Sequence, residues 1–185
     1  MKEQIKHILG FMRCKIFGIP IELNSQVYIG KGVKVRGGNR IHLDNGTVIR
    51  PNVSLWCSGR GIEIGRGSEI GERSRISIAN MLKIGNKVLV SPNVYITDCD
   101  HEYSQIGVPI IDQGTVKKDY QVVIGDHAYI GINSVIVGNI SIGKGSVIGA
   151  NSVVTKSIPD YCVAVGAPAK IIKKYNAQNN KWEHV

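Results

Sequence analysis

Leucine is scarce in this 185-residue chain, with 6 against 28 isoleucines and 20 valines. Helical proteins use leucine heavily, and β-branched side chains lose rotamer freedom in a helix while fitting a pleated surface, so the imbalance argues for strands. Aromatic residues make up only 6% and proline only 6 positions, while apolar residues reach 43%. These figures exclude a collagen-like or proline-rich tract and a wholly disordered chain. No apolar run approaches the ~20 residues that span a bilayer. Cys14, Cys57, Cys99 and Cys162 are scattered without a C-x-x-C pair, which reads as reduced thiols in a cytoplasmic protein. The start, Met1 to Pro20, is broken by Lys6, His7, Arg13 and Lys15 with no small-residue cleavage site after it, so no secretory signal is expected. Two features are present in excess: glycine, at 22, and positive charge, 23 basic against 14 acidic residues for a net +9. The charge calls for an anionic partner.

An aliphatic residue recurs every six positions at Ile124, Ile130, Ile136, Ile142, Ile148 and Val154, and a mostly small residue follows each by four, as at Ala128, Ser134, Ser146 and Ser152. Earlier runs repeat the pattern with slips: Leu43, Ile49, Leu55; Ile64, Ile70, Ile76; Ile78, Ile84, Val90, Ile96; with Ile29 and Val35 at its start. A period of six is neither helical nor a simple alternation. It fits a coil of three short flat strands, one hexad per side, whose aliphatic residue points into a narrow prism and stacks on the next coil. The small residue then sits near a corner, and Gly and Asn serve the turns.

The repeat stops between Ile96 and Ile124, and a long aperiodic stretch inside a regular solenoid is usually functional or disordered. This segment, residues 97–123, carries His101 among Asp98, Asp100 and Glu102. A neutral imidazole is suited to taking a proton at neutral pH. Its other nitrogen would need an acceptor, for which Asp98, Asp100 and a backbone carbonyl all qualify. Lys156, Lys170, Lys173 and Lys174 against Asp160 give the C-terminal part a local charge of +3. Near the N-terminus, Ile5, Ile8, Leu9 and Met12 recur at helical spacing, so a short amphipathic helix is expected to cap the first coil with that stripe buried. Peripheral contact with a membrane is the lesser reading of the same stripe. Residues Asn176 to Val185 read as a frayed polar tail.

The hexads, the run VYITDCDHEY, the following PIIDQG and VVIGDHAYIG, and the terminal SVIGANSVVTKSIPDYCVAVGAPAKIIKKY resemble the hexapeptide-repeat acyltransferases, in particular bacterial polysaccharide and sugar O-acetyltransferases, from about Val27 to Lys174. The resemblance implies a left-handed parallel β-helix over residues 23–159, with 1–22 as an N-terminal cap and 160–185 as a basic segment and tail. It makes His101 the general base, with Asp98 as its candidate partner, and acetyl-CoA the co-substrate without a metal. Coenzyme A would lie along the last coils: backbone at Ile132 and Ala150 on the pantetheine amides, Thr155 and Lys156 near the adenine and phosphates, Lys170 and Lys173 where the family often has arginine. Asn80 matches an asparagine that often faces the site, and Tyr129 stands where tryptophan is usual. The family forms homotrimers with sites between subunits, and acetylates sugar or glycan acceptors.

Three rival functions have recognisable signatures. Another acyl acceptor (an antibiotic, a serine or a nucleotide-sugar amine) would use the same base. A zinc hydratase on this scaffold needs three histidines, and His101 has no partner at 96 or 106. A nucleic-acid binder or passive scaffold is disfavoured by basic residues spread without an aromatic-interleaved stripe. Direct transfer needs no nucleophile, although Cys99 lies two residues from His101.

Overall fold

The computed structural model describes residues 2–22, 25–116 and 118–185. It is an all-β solenoid of about seven turns with three parallel sheets, preceded by helix α1 (Lys2–Ile16) and interrupted by a protruding loop that carries a short helix α2 (Ile110–Gln113). Each coil contributes one short strand to each sheet, except the last, which reaches the third sheet only through the bridge of Ile158 to Ile142. The first sheet begins with Tyr28–Ile29 and continues through Val48–Ile49 up to Val147–Ile148. The second runs from Lys34–Arg36 to Val153–Val154, and the third from Ile41–Leu43 to Ile140–Ile142.

The hexad aliphatics form the core as columns. Ile29 pairs with Ile49, Ile49 with Ile70, Ile70 with Val90, Val90 with Ile130, and Ile130 with Ile148, all essentially without exposure. A second column is Leu55, Ile76, Ile96, Ile136 and Val154. The slips have a geometric origin. Ile136 pairs with Val154, 18 positions on, whereas Leu55 pairs with Ile76, 21 positions on; the early coils carry extra residues at the corner between the second and third sheets. The small residues are buried at corners as expected, and their hydroxyls are satisfied: Ser68 Oγ donates to Gly85 O (2.7 Å) and accepts from Val88 N (2.9 Å). The corner after the first sheet turns through left-handed Asn52, Arg73, Asn93, Asn133 and Asn151, and the corner after the third through Gly46, Gly67, Lys87, His127, Gly145 and Tyr161. Asparagine is the non-glycine residue that best tolerates that region.

Both ends of the chain differ from expectation. Helix α1 caps the first coil, but with Gly10 and Cys14 buried, while Ile8, Leu9, Met12 and Ile16 stay exposed. Gly10 decides this, because a Cβ there would lie 2.1 Å from Val27 O; the missing side chain lets the helix backbone approach the coil. The Ile5 side chain lies outside the described residues. The C-terminal segment is no frayed tail. Strand Cys162–Gly166 joins the first sheet in parallel, and Ala169–Asn176 and Lys181–His184 extend it antiparallel, with Tyr175 packed between Tyr161 and Trp182 at centroid separations of 6.3 and 5.5 Å.

Candidate active site

The loop leaves the solenoid at the corner between the second and third sheets, after strand Tyr95–Thr97, and returns at Gln121–Ile124. Its exit is fixed by Asp98, which is buried. One carboxylate oxygen accepts Ala79 N (2.7 Å) and the other accepts Asn80 N (2.9 Å) and Met81 N (2.8 Å). Thr97 Oγ1 donates to Ser77 O and accepts from Cys99 N. Asp98 thus closes the 79–81 turn of the preceding coil; its oxygens point at that turn and make no hydrogen bond to His101.

Beyond the exit the loop is an ordered arm. His101 bridges Thr115 in antiparallel fashion, flanked by Val116 N to Asp100 O (3.0 Å) and Glu102 N to Gly114 O (3.1 Å). Gln113 locks the far end, its amide donating to the carbonyls of Gln105 and Val108 and accepting from Gln105 N. Asn80 holds the return: its amide donates to Asp119 (2.7 Å) and to Tyr120 O (2.7 Å) and accepts from Arg60 Nε (2.9 Å), while Arg60 also pairs with Asp119 at 2.9 Å. Asn80 is therefore engaged with the loop root. Arg60, Asp119 and Gln113 were not singled out from the sequence, because nothing in their spacing marks partners 5 to 59 positions away.

His101 is exposed. Its backbone N–H donates to Asp100 (2.8 Å), and among the described residues its imidazole has no hydrogen-bond partner. The arm's tip presents Ile106 and Ile111, 96% and 86% exposed, beside Tyr103 and Ile110. Burial pushes the Cys99 thiol above its ordinary pKa, and the charges of Asp98 and Asp100 push it further. A thiol held in its protonated form is a poor nucleophile.

The remaining predicted residues fall in two places. Ile132 and Ala150 stack at the corner after the first sheet, where the Asn151 N–H donates to Ile132 O and the amides of Ile132 and Ala150 donate to nothing within the described chain. Two earlier coils have proline at this corner, Pro51 and Pro92, which carry no N–H to offer. Lys170 is near the same corner, beside Val165, whose side chain abuts Gly149. Lys173 lies further along the same strand, between Val163 and His184. Thr155 and Lys156 are exposed at the loop's corner, across the width of the second sheet. Tyr129 is exposed on the outer face, its hydroxyl paired with Ser91 Oγ at 3.1 Å. The zinc alternative would need histidines beside His101, but His42 faces outward from the third sheet and His127 occupies the opposite corner.

A family model described as bacterial transferase hexapeptide (six repeats) matches residues 121–156. That stretch carries the hexapeptide repeat of bacterial transferases. Among curated proteins the chain is similar to a Mycobacterium tuberculosis protein named as a probable acetyltransferase, 33% identical over 93% of this chain and 57% of that one. It is also similar to Escherichia coli WbbJ, whose name proposes O-acetyl transfer in lipopolysaccharide biosynthesis, 41% identical over 51% of each chain. The chain thus spans about half the length of the curated relatives it matches. Among solved hexapeptide-repeat structures, AntD, an N-acyltransferase from Bacillus cereus in complex with dTDP and 3-hydroxybutyryl-CoA, superposes with a TM-score of 0.72 at 22% identity, over 91% of this chain and 90% of that one. At that identity the likeness is one of fold.

Proposed function

We propose that this protein is an acetyl-CoA-dependent O-acetyltransferase that modifies a sugar hydroxyl in bacterial surface polysaccharide biosynthesis, in the cytoplasm, as a homotrimer with sites between subunits. The observation that carries the reading is His101: an exposed residue whose imidazole has no hydrogen-bond partner among the described residues, held on an arm that Asp98, Asn80 and Gln113 fix in place. A structural histidine would have its ring nitrogens occupied, whereas a base awaiting an alcohol keeps one open. The exposed isoleucines at the arm's tip support the trimer, since burying one such side chain on a neighbour is worth about 1.5–3 kcal/mol. That neighbour would also supply the acceptor that orients the ring.

In this account acetyl-CoA supplies the activated acyl group. The amides of Ile132 and Ala150 donate to the pantetheine carbonyls, and Lys170, at the same corner, meets an anionic part of the ligand. Thr155 and Lys156, a sheet's width away, belong to that contact only through a long, draped ligand. Asn80 serves the arm instead. His101 removes the acceptor hydroxyl's proton as that oxygen bonds to the acetyl carbon, and it returns the proton to the departing sulfur as the carbon–sulfur bond breaks. Backbone N–H groups of a neighbouring coil stabilise the oxyanion between those two steps.

Thiol release from acetyl-CoA over a panel of sugars, an amino-sugar nucleotide, serine and an aminoglycoside tests the reading. Release with sugars whose new ester is cleaved by mild base supports it. Release only with an amine acceptor replaces O- with N-acetylation, and release with none leaves a scaffold.

A further inference from the structure

The outward faces of the three sheets treat charge differently. On the third, Lys83 pairs with Glu63 at 3.5 Å, and at the first, Arg50 grips Glu69 through two hydrogen bonds of 2.6 and 2.9 Å. The second sheet's outward positions carry Lys34, Arg36 and Arg75 and no carboxylate. Arg36 and Arg75 both stack on Trp56, with guanidinium carbons 5.0 and 4.4 Å from the ring centroid, and Arg75 also lies 6.0 Å from the Tyr95 ring. Among the described residues neither guanidinium makes a hydrogen bond or an ion pair.

That combination has a chemical meaning. Stacking on an aromatic face fixes a guanidinium's plane yet consumes none of its in-plane N–H donors, so each arginine is positioned but left unsatisfied. Two cations held on one indole repel each other, and a carboxylate or phosphate bound across them relieves the repulsion while accepting bidentate hydrogen bonds. The location is equally specific. Arg36 and Trp56 line a hollow of about 160 Å³ together with Ala79 and Cys99, and Cys99 precedes His101 by two residues, a span of at most about 7 Å.

We propose that the Arg36–Trp56–Arg75 face is the anion-binding part of the acceptor subsite, so that the sugar presented to His101 carries a negative group, a carboxylate or a phosphate ester. The proposal rests on the acetyl-transfer reading for its placement, but its binding component stands separately. The test has two arms. In the first, galacturonate, galactose 1-phosphate and galactose are titrated into the wild-type protein and the Arg36→Gln/Arg75→Gln double variant, by calorimetry and Trp fluorescence. The wild type should bind one of the two anionic sugars at least tenfold tighter than galactose, with the advantage shrinking in high salt and vanishing in the double variant; which one binds separates carboxylate from phosphate. Equal binding of all three, or an advantage that survives the double substitution, overturns the proposal. In the second arm, the anionic-to-neutral ratio of kcat/KM in acetyl transfer should fall about 10- to 100-fold in the double variant, and Arg66→Gln, on a different corner, should leave it unaltered. If no sugar is acetylated yet the anionic sugar binds, the acetyl-transfer reading fails and the anion site stands. A double variant that changes the assembly's mass shows the arginines serving a subunit contact instead, and overturns it.

Discussion

Replacing Asp98 by Asn separates a structural carboxylate from a catalytic one. The side chain accepts three backbone N–H groups, from Ala79, Asn80 and Met81, at 2.7 to 2.9 Å. An amide oxygen can take the Asn80 and Met81 bonds, but its NH₂ then faces the Ala79 N–H and that bond is lost. Ala79 is exposed, so water replaces the lost acceptor at a cost near ~1 kcal/mol. The two surviving bonds drop from charged to neutral, about 1 kcal/mol each. Asp98→Asn should therefore cost about 2–4 kcal/mol, and Asp98→Ala more, because the buried Met81 N–H is then orphaned. Urea unfolding at one fixed protein concentration reads this directly, the concentration mattering because assembly adds to stability. The fraction of Asp98→Asn still folded should keep a pH–rate profile with the wild-type acid limb. A loss below 0.5 kcal/mol, or a hundredfold fall in kcat at unchanged stability, would refute the turn-closing role and return Asp98 to the imidazole.

Three further outcomes are expected. Ile106→Glu/Ile111→Glu places charges on the arm's exposed tip; light scattering should show a shift from three times the 20.2 kDa chain mass to one, with activity lost and the coil's circular dichroism retained. A wild-type protein of single-chain mass with full activity contradicts that. Burial raises the Cys14 thiol from 9.0 to about 11, against a smaller opposing pull from Lys15. A folded-state pKa above the unfolded one gives stability that is complete below about pH 9 and lost between about 9 and 11. Cys14→Ala should flatten that part of the wild-type curve in unfolding experiments from pH 8 to 11.5, and an unchanged slope would speak against it. Iodoacetamide should modify Cys99 slowly at pH 7, since its pKa is raised; rapid labelling, followed by mass spectrometry, would reopen a nucleophilic role.

The solenoid was legible because one physical requirement repeats: every sixth side chain must be apolar to enter the prism, and every corner must tolerate tight backbone. Ile124 to Val154 carry that signal without interruption, while at Ile76 to Ile78 it slips because the extra corner residues of the early coils have no period of their own. The position of the loop and of His101 followed from where the hexads stop. What the loop's neighbours do was not legible. Asp98 lies three residues from His101, but its partners are the amides of a coil 17 to 19 positions earlier. The apolar stripe of α1 predicted the wrong buried face, since close backbone approach at Gly10 outweighed side-chain hydrophobicity. The terminal hairpin is held by edge pairing, by Ala169 and Ile171 packed against the core, and by the Tyr161–Tyr175–Trp182 contacts, none of which leaves a six-residue period.

The proposed base, His101, offers the most direct trial. Turnover of acetyl-CoA with the best acceptor, compared between wild type and His101→Ala at matched assembly mass, should fall about 10²- to 10⁴-fold with the melting temperature unmoved, because the ring makes no hydrogen bond among the described residues. Transfer within threefold of wild type would mean that the imidazole does not move the proton.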